Sequence, residues 1–195
     1  MKRLFHLPLI LIFLIQCSDE RKDVTRQIAN QGRHHVYHEF MKEVDEISKK
    51  KGSQAAIEFY RENLNSKTGS ASQQLLDKYR KNYNIYEFNH KRVSIRYRNP
   101  INQANGWYGE ILQIWGQNLR KQQPLQISVR KIKRGYEAMA PIVANESCLK
   151  CHGTVQKTGV PVRDYLKKQY VGDRARDFHP GDLMGAFVAE IKFRD

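Results

Sequence analysis

Apolar residues recur every three or four positions through the first half of the chain, which is the spacing of an amphipathic helix. This pattern predicts a first helix that ends near Gly52, a second that Ser53 caps, and a third that follows the small polar run 66–72. The apolar positions of these helices are Val36, Phe40, Val44, Ile47, Ala56, Ile57, Phe59, Tyr60, Leu64, Leu75, Leu76, Tyr79 and Tyr83. The first half is therefore predicted to be helical.

From position 92 the apolar spacing changes to two, which is typical of half-buried strands. The predicted strands contain Val93, Ile95 and Tyr97, then Leu125, Ile127 and Val129, then Tyr136 to Val143, and finally Phe187, Ala189, Ile191 and Phe193. Asn99-Pro100 is expected to end the first strand, Asn105 to cap a helix with Trp107, Ile111, Ile114 and Trp115, and Lys133-Arg134-Gly135 to form a turn. Helices around an antiparallel sheet make an α+β fold.

The composition is strongly basic. The 195 residues include 34 Lys and Arg against 20 Asp and Glu, for a formal net charge of +14, and their 40% hydrophobic content predicts one folded domain. Such a charge is typical of phosphate-binding proteins, but an exported chain does not meet chromosomal DNA. We therefore expect no nucleic-acid partner, and a basic surface that is solvated or that faces anionic lipid or an acidic partner.

Export is indicated by the amino terminus, where Lys2 and Arg3 precede an apolar run over 4–15. This run is shorter than the about 20 apolar residues that a membrane-spanning helix needs. Gln16-Cys17 then resembles the end of a bacterial lipoprotein signal, in which the cysteine is lipidated. An ordinary signal peptide without lipidation is the alternative.

These features divide the chain into three predicted parts. Residues 1–16 are a lipoprotein-type signal peptide, residues 17–35 hold the anchor, a polar linker over 18–23 and the start of the first helix, and residues 36–195 form a single domain. Lipidation of Cys17 predicts a membrane-anchored lipoprotein that faces the periplasm or the cell exterior.

One motif has a specific chemical meaning. In Cys148-Leu149-Lys150-Cys151-His152, two thiols three positions apart precede an imidazole, which is the pattern for covalent attachment of heme c. Each thiol adds to one vinyl group of the porphyrin, and His152 becomes the proximal iron ligand. A thioredoxin-like dithiol and a zinc site are alternatives. Export favours heme, because free thiols outside the cytoplasm tend to oxidise.

Further residues in the same order carry a resemblance to a family. They are Arg98-Asn99-Pro100 with Trp107, Tyr136 leading to Pro141-Ile142, the cysteine motif with Gly153, Asp173-Arg174-Ala175, and Gly181-Asp182-Leu183-Met184-Gly185-Ala186-Phe187. Together they are similar to the Tll-type c-heme domain family. The resemblance implies a PAS-like antiparallel sheet with amino-terminal helices packed around it, and one covalent heme c in the domain over 36–195.

The resemblance also bears on the second iron ligand. In the family this ligand is a cysteine in an Ala-Ile-x-x-Cys pattern, and the corresponding segment here is Ala56-Ile57-Glu58-Phe59-Tyr60. Tyr60 either binds ferric iron as a phenolate, leaves the position open, or is a core tyrosine. Other candidates are His34, His35, His38, His90, His179, Met139 and Met184. Arg96 and Arg98 are candidates to pair with the heme propionates.

The predicted function is that of an exported monoheme c-type protein in electron transfer or redox sensing, with a redox or signalling partner of unknown identity. A gas or small-ligand heme sensor with an open sixth site is one alternative, and a non-heme dithiol or metal-binding protein is another. We do not expect an enzyme, because the sequence has no catalytic motif beyond the heme site.

Overall fold

The computed structural model describes residues 19–194, except for the side chains of Val36 and Tyr37. The predicted signal peptide and Cys17 lie outside the described residues, so their assignment stays a prediction. Within the described part of the chain, no helix has both the length and the apolar character needed to cross a membrane.

The first half is helical, as predicted. Helix α1 spans Glu20–His34, a π-helical turn follows over His35–Glu39, α2 spans Phe40–Lys51 and α3 spans Ser53–Tyr83. Gly52, with a φ of 86°, separates α2 from α3 and takes the N-cap position that was predicted for Ser53.

Two helix boundaries differ from the prediction. Part of the stretch predicted as a linker is helical, because the Asp19 carboxylate accepts from the backbone nitrogens of Arg21 and Lys22 and so caps α1. The run 66–72 does not interrupt α3, because the Ser66 and Thr68 hydroxyls donate to carbonyls within the same helix.

The second half holds a four-stranded antiparallel sheet in the order β1-β4-β3-β2, which confirms the α+β class. The strands are β1 (Ile85–Val93), β2 (Ser128–Ile132), β3 (Gly135–Val143) and β4 (Leu183–Phe193). Helix α4 (Trp107–Arg120) lies between β1 and β2.

Several predicted positions in this half are shifted. Strand β1 ends at Val93 instead of continuing to Tyr97, because Ser94 turns away and donates through its hydroxyl to the Met184 carbonyl. Strand β2 begins only at Ser128. Helix α4 has Gly106 as its N-cap, whereas Asn105 was predicted. The predicted turn is confirmed, and Arg134 within it has a φ of 64°.

The sheet is buried on both faces. Helices α1 and α3 cover one face, whose buried residues include Ile28, Leu75, Phe187, Ile191 and Phe193. Helix α4 packs on the other face through Leu112 and Trp115, which contact Met139 and Val188. Burial of these aliphatic and aromatic side chains supplies the main stabilisation of the fold.

The cysteine motif lies in an excursion from the sheet between β3 and β4. The Ala144 nitrogen donates to the Asp182 carbonyl at 2.8 Å, and the Gly181 nitrogen donates back to the Ala144 carbonyl at 2.9 Å. Three short helices fill the excursion: α5 (Leu149–His152), α6 (Val155–Thr158) and α7 (Val160–Gln169). Because its two ends are joined, the excursion is a closed loop that holds the motif near the end of the sheet.

Candidate functional site

The motif forms a single helical turn. Cys148 is the N-cap of α5, and its carbonyl accepts from the backbone nitrogens of Cys151 at 3.2 Å and His152 at 2.9 Å. The Asn145 side-chain oxygen accepts from both the backbone nitrogen and the thiol of Cys148, each at 3.2 Å. The two thiols therefore project from one turn, and no disulfide joins them.

Backbone carbonyls at the end of this turn are held in place by Thr158. Its hydroxyl lies 3.0 Å from the Leu149 carbonyl oxygen and 3.2 Å from that of Gly153. A Cβ atom at Gly153 would lie 2.6 Å from the Leu149 carbonyl oxygen, so a side chain at this position would disrupt the turn. The motif thus ends in a rigid backbone segment.

The two cysteines have apolar surroundings. Cys151 packs beside Ile57 of α3 and Val162 of α7, and Cys148 packs in a second cluster with Leu149 and Phe178. Burial raises the pKa of the Cys151 thiol.

His152 is held through one of its two ring nitrogens. Its Nδ1 lies 2.7 Å from the Ala175 carbonyl oxygen. Because a carbonyl only accepts hydrogen bonds, Nδ1 must carry the proton and Nε2 must carry the lone pair. Burial lowers the pKa of His152 to about 3, and the positive charge of Arg98 adds to the decrease. At neutral pH the imidazole is therefore neutral, which is the form that ligates metals.

Arg98 connects the motif to the loop that carries Ala175. Its Nη2 donates to the Cys151 carbonyl at 2.7 Å, and its Nε lies 3.0 Å from an oxygen of the Asp173 carboxylate. The other oxygen of that carboxylate accepts from the Ala175 nitrogen at 2.8 Å. The side chains of Arg98 and Asp173 are only 15% and 11% exposed, so this ion pair is largely shielded from water.

Arg96 and Arg98, which were predicted to pair with heme propionates, both have partners within the protein, and the propionate pairing stays a prediction. Arg98 is engaged as described above. Arg96 donates to the Arg176 carbonyl, and its guanidinium carbon lies 3.8 Å from the centre of the Phe178 ring. Both groups bind protein atoms because the loop over 173–178 folds directly against them.

Tyr60 lies on α3 between α2 and the sheet. Its ring stacks on Phe40 with 5.5 Å between ring centres and 16° between ring planes. The Tyr60 oxygen accepts a hydrogen bond from Arg92 of β1. The charge of Arg92 also contributes to lowering the pKa of His152. Arg92 of β1 thus holds Tyr60 and also acts electrostatically on His152.

A family model described as Tll0287-like (Tll0287) matches residues 19–191. The chain belongs to the Tll0287-like family. It is also similar to a crystal structure of the cyanobacterial heme protein Tll0287, with 23% sequence identity over 65% of this chain and 70% of that chain and a TM-score of 0.48. No curated protein matches the chain.

The Tll0287-like match extends beyond the domain boundary that the sequence suggested. It begins at residue 19, before the predicted domain start at 36, and therefore includes all of α1. It ends within β4, so it also contains the whole closed excursion with the motif. The helices and the site thus belong to one family unit.

Of the other ligand candidates in this Tll0287-like chain, Met184 is the one that the structure brings to the motif, where it packs against the cluster of Cys148 and Phe178. Met139 is fully buried under α4. Three candidates have partners elsewhere: His90 contacts Ser72, His35 contacts Glu39, and His179 lies beside Asp182. His34 and His38 are exposed on the helix surface, with 4.7 Å between their ring centres.

The zinc alternative gains no support from the structure. Among the described residues, no three or more His, Cys, Asp or Glu side chains are grouped so as to hold a metal ion. In the described part of the chain, Cys148, Cys151 and His152 are not grouped as a zinc site would require.

Two clefts include residues discussed above. One, of about 350 Å³, lies between α4 and the start of β4 and includes Arg96 and Met184. The other, of about 460 Å³, lies between α2 and α5 and includes Asp45, Leu149 and Lys150. Lys150 forms an ion pair with Asp45, which fastens the motif to α2. Neither cleft is lined by the two motif cysteines.

Sequence reasoning missed the residues that hold His152. Asp173 and Ala175 entered only as part of the family pattern, and Thr158 was not considered. The short spacing of Asp173 and Ala175, typical of an Asp side chain that bonds the backbone two residues on, is the one sequence feature that could have pointed to this loop. Arg98 was considered, but for a different partner.

Proposed function

We propose that this Tll0287-like protein carries one heme c, attached through Cys148 and Cys151, with His152 as the proximal iron ligand. The observation that carries the proposal is the state of His152. This neutral imidazole has its Nδ1 bound to the Ala175 carbonyl and its Nε2 lone pair available, and it directly follows two unpaired thiols on the same helical turn. A hydrogen bond at the far nitrogen is how proteins orient a metal-binding histidine.

The residues around the motif fit such a group. Both cysteines are reduced, as thioether formation requires, and the Phe178 ring packs edge-on to His152 with 6.3 Å between ring centres. Apolar side chains next to the thiols, including Ile57 and Leu149, exclude water from the attachment side. When bound, heme supplies an iron that changes oxidation state by one electron, and the protein tunes it through ligation, hydrogen bonding and burial.

The proposed activity is electron transfer or redox sensing without enzymatic turnover. It requires a redox or signalling partner. We further propose an exported protein held at the membrane by lipidated Cys17, facing the periplasm or the cell exterior. This location is supported by the amino-terminal sequence pattern and by the chemistry of heme c attachment, which is completed outside the cytoplasm.

A gas or small-ligand sensor is a second candidate, favoured by the contacts of Tyr60. We propose that Tyr60 would be the protein group available as a second iron ligand when heme is bound. Its oxygen is hydrogen-bonded to Arg92 and its ring is stacked on Phe40, so these contacts compete with a bond to iron. A ligand held in this way is displaceable by a small molecule.

The proposal is tested by producing the protein in a host with cytochrome c maturation. We expect a positive heme stain on a denaturing gel, because only covalent heme survives denaturation. Reduced spectra that do not change with carbon monoxide would favour the electron carrier or redox sensor, and a clear shift would favour ligand sensing. A negative stain would reject heme c and return the chain to the dithiol or metal alternatives.

His152 has its own test. Replacing His152 with Ala should change the reduced spectrum while the heme stain persists, because the thioethers form without the imidazole. The matched control is His179→Ala, which removes an exposed imidazole from the same excursion and should leave the spectrum unchanged. An unchanged spectrum in His152→Ala would reject His152 as the ligand.

A further inference from the structure

Arg98 ties together three separate segments at the site. It follows β1 in the chain, it donates to the Cys151 carbonyl in the motif at 2.7 Å, and it pairs with Asp173 in the loop that precedes β4. It also approaches the Ala175 carbonyl oxygen at 3.3 Å, the same oxygen that His152 Nδ1 contacts at 2.7 Å. The Arg98 guanidinium thus contacts Cys151, which precedes His152 in the sequence, and Ala175, whose carbonyl accepts from His152.

A guanidinium is suited to this role because its donors have a fixed planar arrangement. The Nε and Nη2 atoms of Arg98 reach different acceptors, so the side chain sets the distance between the motif and the 173–175 loop. Asp173 completes the arrangement, because its second oxygen accepts from the Ala175 nitrogen. The Ala175 carbonyl accepts the hydrogen bond from His152 Nδ1. Ala175 is fixed by Asp173 at its nitrogen and by Arg98 at its oxygen.

The same excursion contains a second Arg–Asp pair that lacks this connection. Arg163 donates to the Gly153 carbonyl at 2.9 Å and pairs with Asp177, so it also fastens the end of the motif to the following loop. Its hydrogen bonds do not involve the imidazole or the Ala175 carbonyl. The Asp177 side chain is 51% exposed, against 11% for Asp173, so the second pair is also far more solvated.

We propose that Arg98, together with Asp173, is a positioning residue for His152: through the Ala175 carbonyl it fixes the orientation and tautomer of the imidazole and thereby sets the reduction potential of the iron. This inference rests on the proposed ligation of heme by His152. It assigns Arg98 to the proximal histidine and not to the propionates.

The sign of the effect follows from the shared carbonyl. Replacing Arg98 with Met leaves the Ala175 carbonyl to His152 alone, which strengthens the Nδ1 hydrogen bond and makes the imidazole a better electron donor. It also removes a positive charge near the iron. Both changes favour ferric iron, so the potential decreases. Asp173→Asn leaves the charge of Arg98 uncompensated and should increase the potential.

The experiment is a potentiometric titration of the heme-loaded proteins. We expect Arg98→Met to lower the equilibrium constant for reduction about tenfold, which is about 59 mV for one electron, and Asp173→Asn to raise it. Arg98→Lys should resemble Arg98→Met in part, because lysine keeps the charge but loses the fork. The matched control, Arg163→Met, should stay within about threefold of the unaltered protein, which is about half of that shift on the same scale.

The outcomes separate this inference from the proposed function. Absence of covalent heme in the unaltered protein would overturn both. Heme in all proteins, with Arg98→Met and Asp173→Asn at the unaltered potential or with Arg163→Met shifted equally, would overturn the positioning role alone. If Arg98→Met gives no heme-loaded protein, the potential of Asp173→Asn is the test: a higher potential supports the positioning role, and an unaltered one overturns it.

Discussion

Two Arg–carboxylate clusters lie in different parts of this molecule. Only one of them contains a side-chain nitrogen that is suited to bind a metal and makes no hydrogen bond to a described residue. Under α4, the Glu137 carboxylate is 1% exposed and accepts from the Tyr108 hydroxyl and from Arg130. Arg130 in turn lies over the Trp107 ring, 4.3 Å from its centre. We refer to these four residues as the Glu137 cluster. Its donors and acceptors satisfy one another.

The second cluster, which we name the His152 cluster, contains Arg98, Cys151, His152, Asp173 and Ala175. Its hydrogen bonds also engage both ends of an ion pair, but they leave His152 Nε2 without a hydrogen-bond partner among the described residues. Burial and charge pairing alone therefore do not distinguish a functional site. The His152 cluster differs because its imidazole is held through Nδ1 while Nε2 makes no hydrogen bond to a described residue.

The largest expected difference between the clusters concerns the thiols beside His152. Replacing both Cys148 and Cys151 with Ala should abolish covalent heme completely, because no thioether can form. Glu137→Gln should keep the full heme stain and serves as the control. Heme that survives denaturation in the double variant would refute the attachment site, and loss of heme in Glu137→Gln would break the distinction between the clusters.

The Glu137 cluster should instead determine stability. Glu137→Gln replaces a buried carboxylate by an amide that cannot accept at both oxygen positions, so Tyr108 or Arg130 loses its partner. We expect the free energy of unfolding to decrease by about 1–3 kcal/mol, measured by urea denaturation. The reduction potential should not change. A shift in potential comparable with that of Arg98→Met would show that both clusters act on the iron.

Tyr60→Phe tests whether Tyr60 takes part in the site. If Tyr60 ligates ferric iron, the ferric spectrum should change and the ferrous spectrum should not, because a phenolate prefers the ferric state. Phenylalanine keeps the stacking on Phe40, so the packing of α2 on α3 is retained. Tyr79→Phe, which also removes a hydroxyl from α3, is the control. An identical ferric spectrum would make Tyr60 a packing residue.

Local patterns predicted much of this fold. The helical spacing of the first half and the strands predicted at β3 and β4 agree with the structure, because these elements bury apolar side chains between the sheet and the helices. The sequence analysis misplaced strand β1 because polar side chains such as Glu87, His90 and Lys91 occur on both of its faces, so no apolar alternation marks it. Its place is set by pairing with β4, which is not a local property.

The candidate site was predictable only in part. The two cysteines and His152 are adjacent in sequence and form a recognisable motif. The residues that hold them are not adjacent: Arg98 and Asp173 are 75 positions apart, and Arg98 and Cys151 are 53 apart. Their contacts exist only because β1 and β4 are neighbours in the sheet, which brings the segments at their ends together.

A half-buried imidazole, His90, belongs to neither cluster. Its Nδ1 lies 2.8 Å from the Ser72 hydroxyl, and its ring stacks on Phe187. Burial lowers its pKa below the ordinary 6.5, and the nearby charge of Arg92 acts in the same direction. As the pH falls through 6.5, the unfolded chain therefore binds a proton before the folded chain does, and stability decreases.

This pH effect is the smallest that we expect. His90→Gln should remove part of the decrease in stability between pH 7 and pH 5, because glutamine does not titrate and still bonds to Ser72. Urea denaturation at the two pH values measures it, with His179→Gln, an exposed imidazole, as the control. Since His152 is present in both proteins, the difference between His90→Gln and the unaltered protein isolates His90. Equal pH dependence in the two would show that His90 is protonated as easily in the fold as in the unfolded chain, and any accompanying change in the heme spectrum would connect it to the His152 cluster.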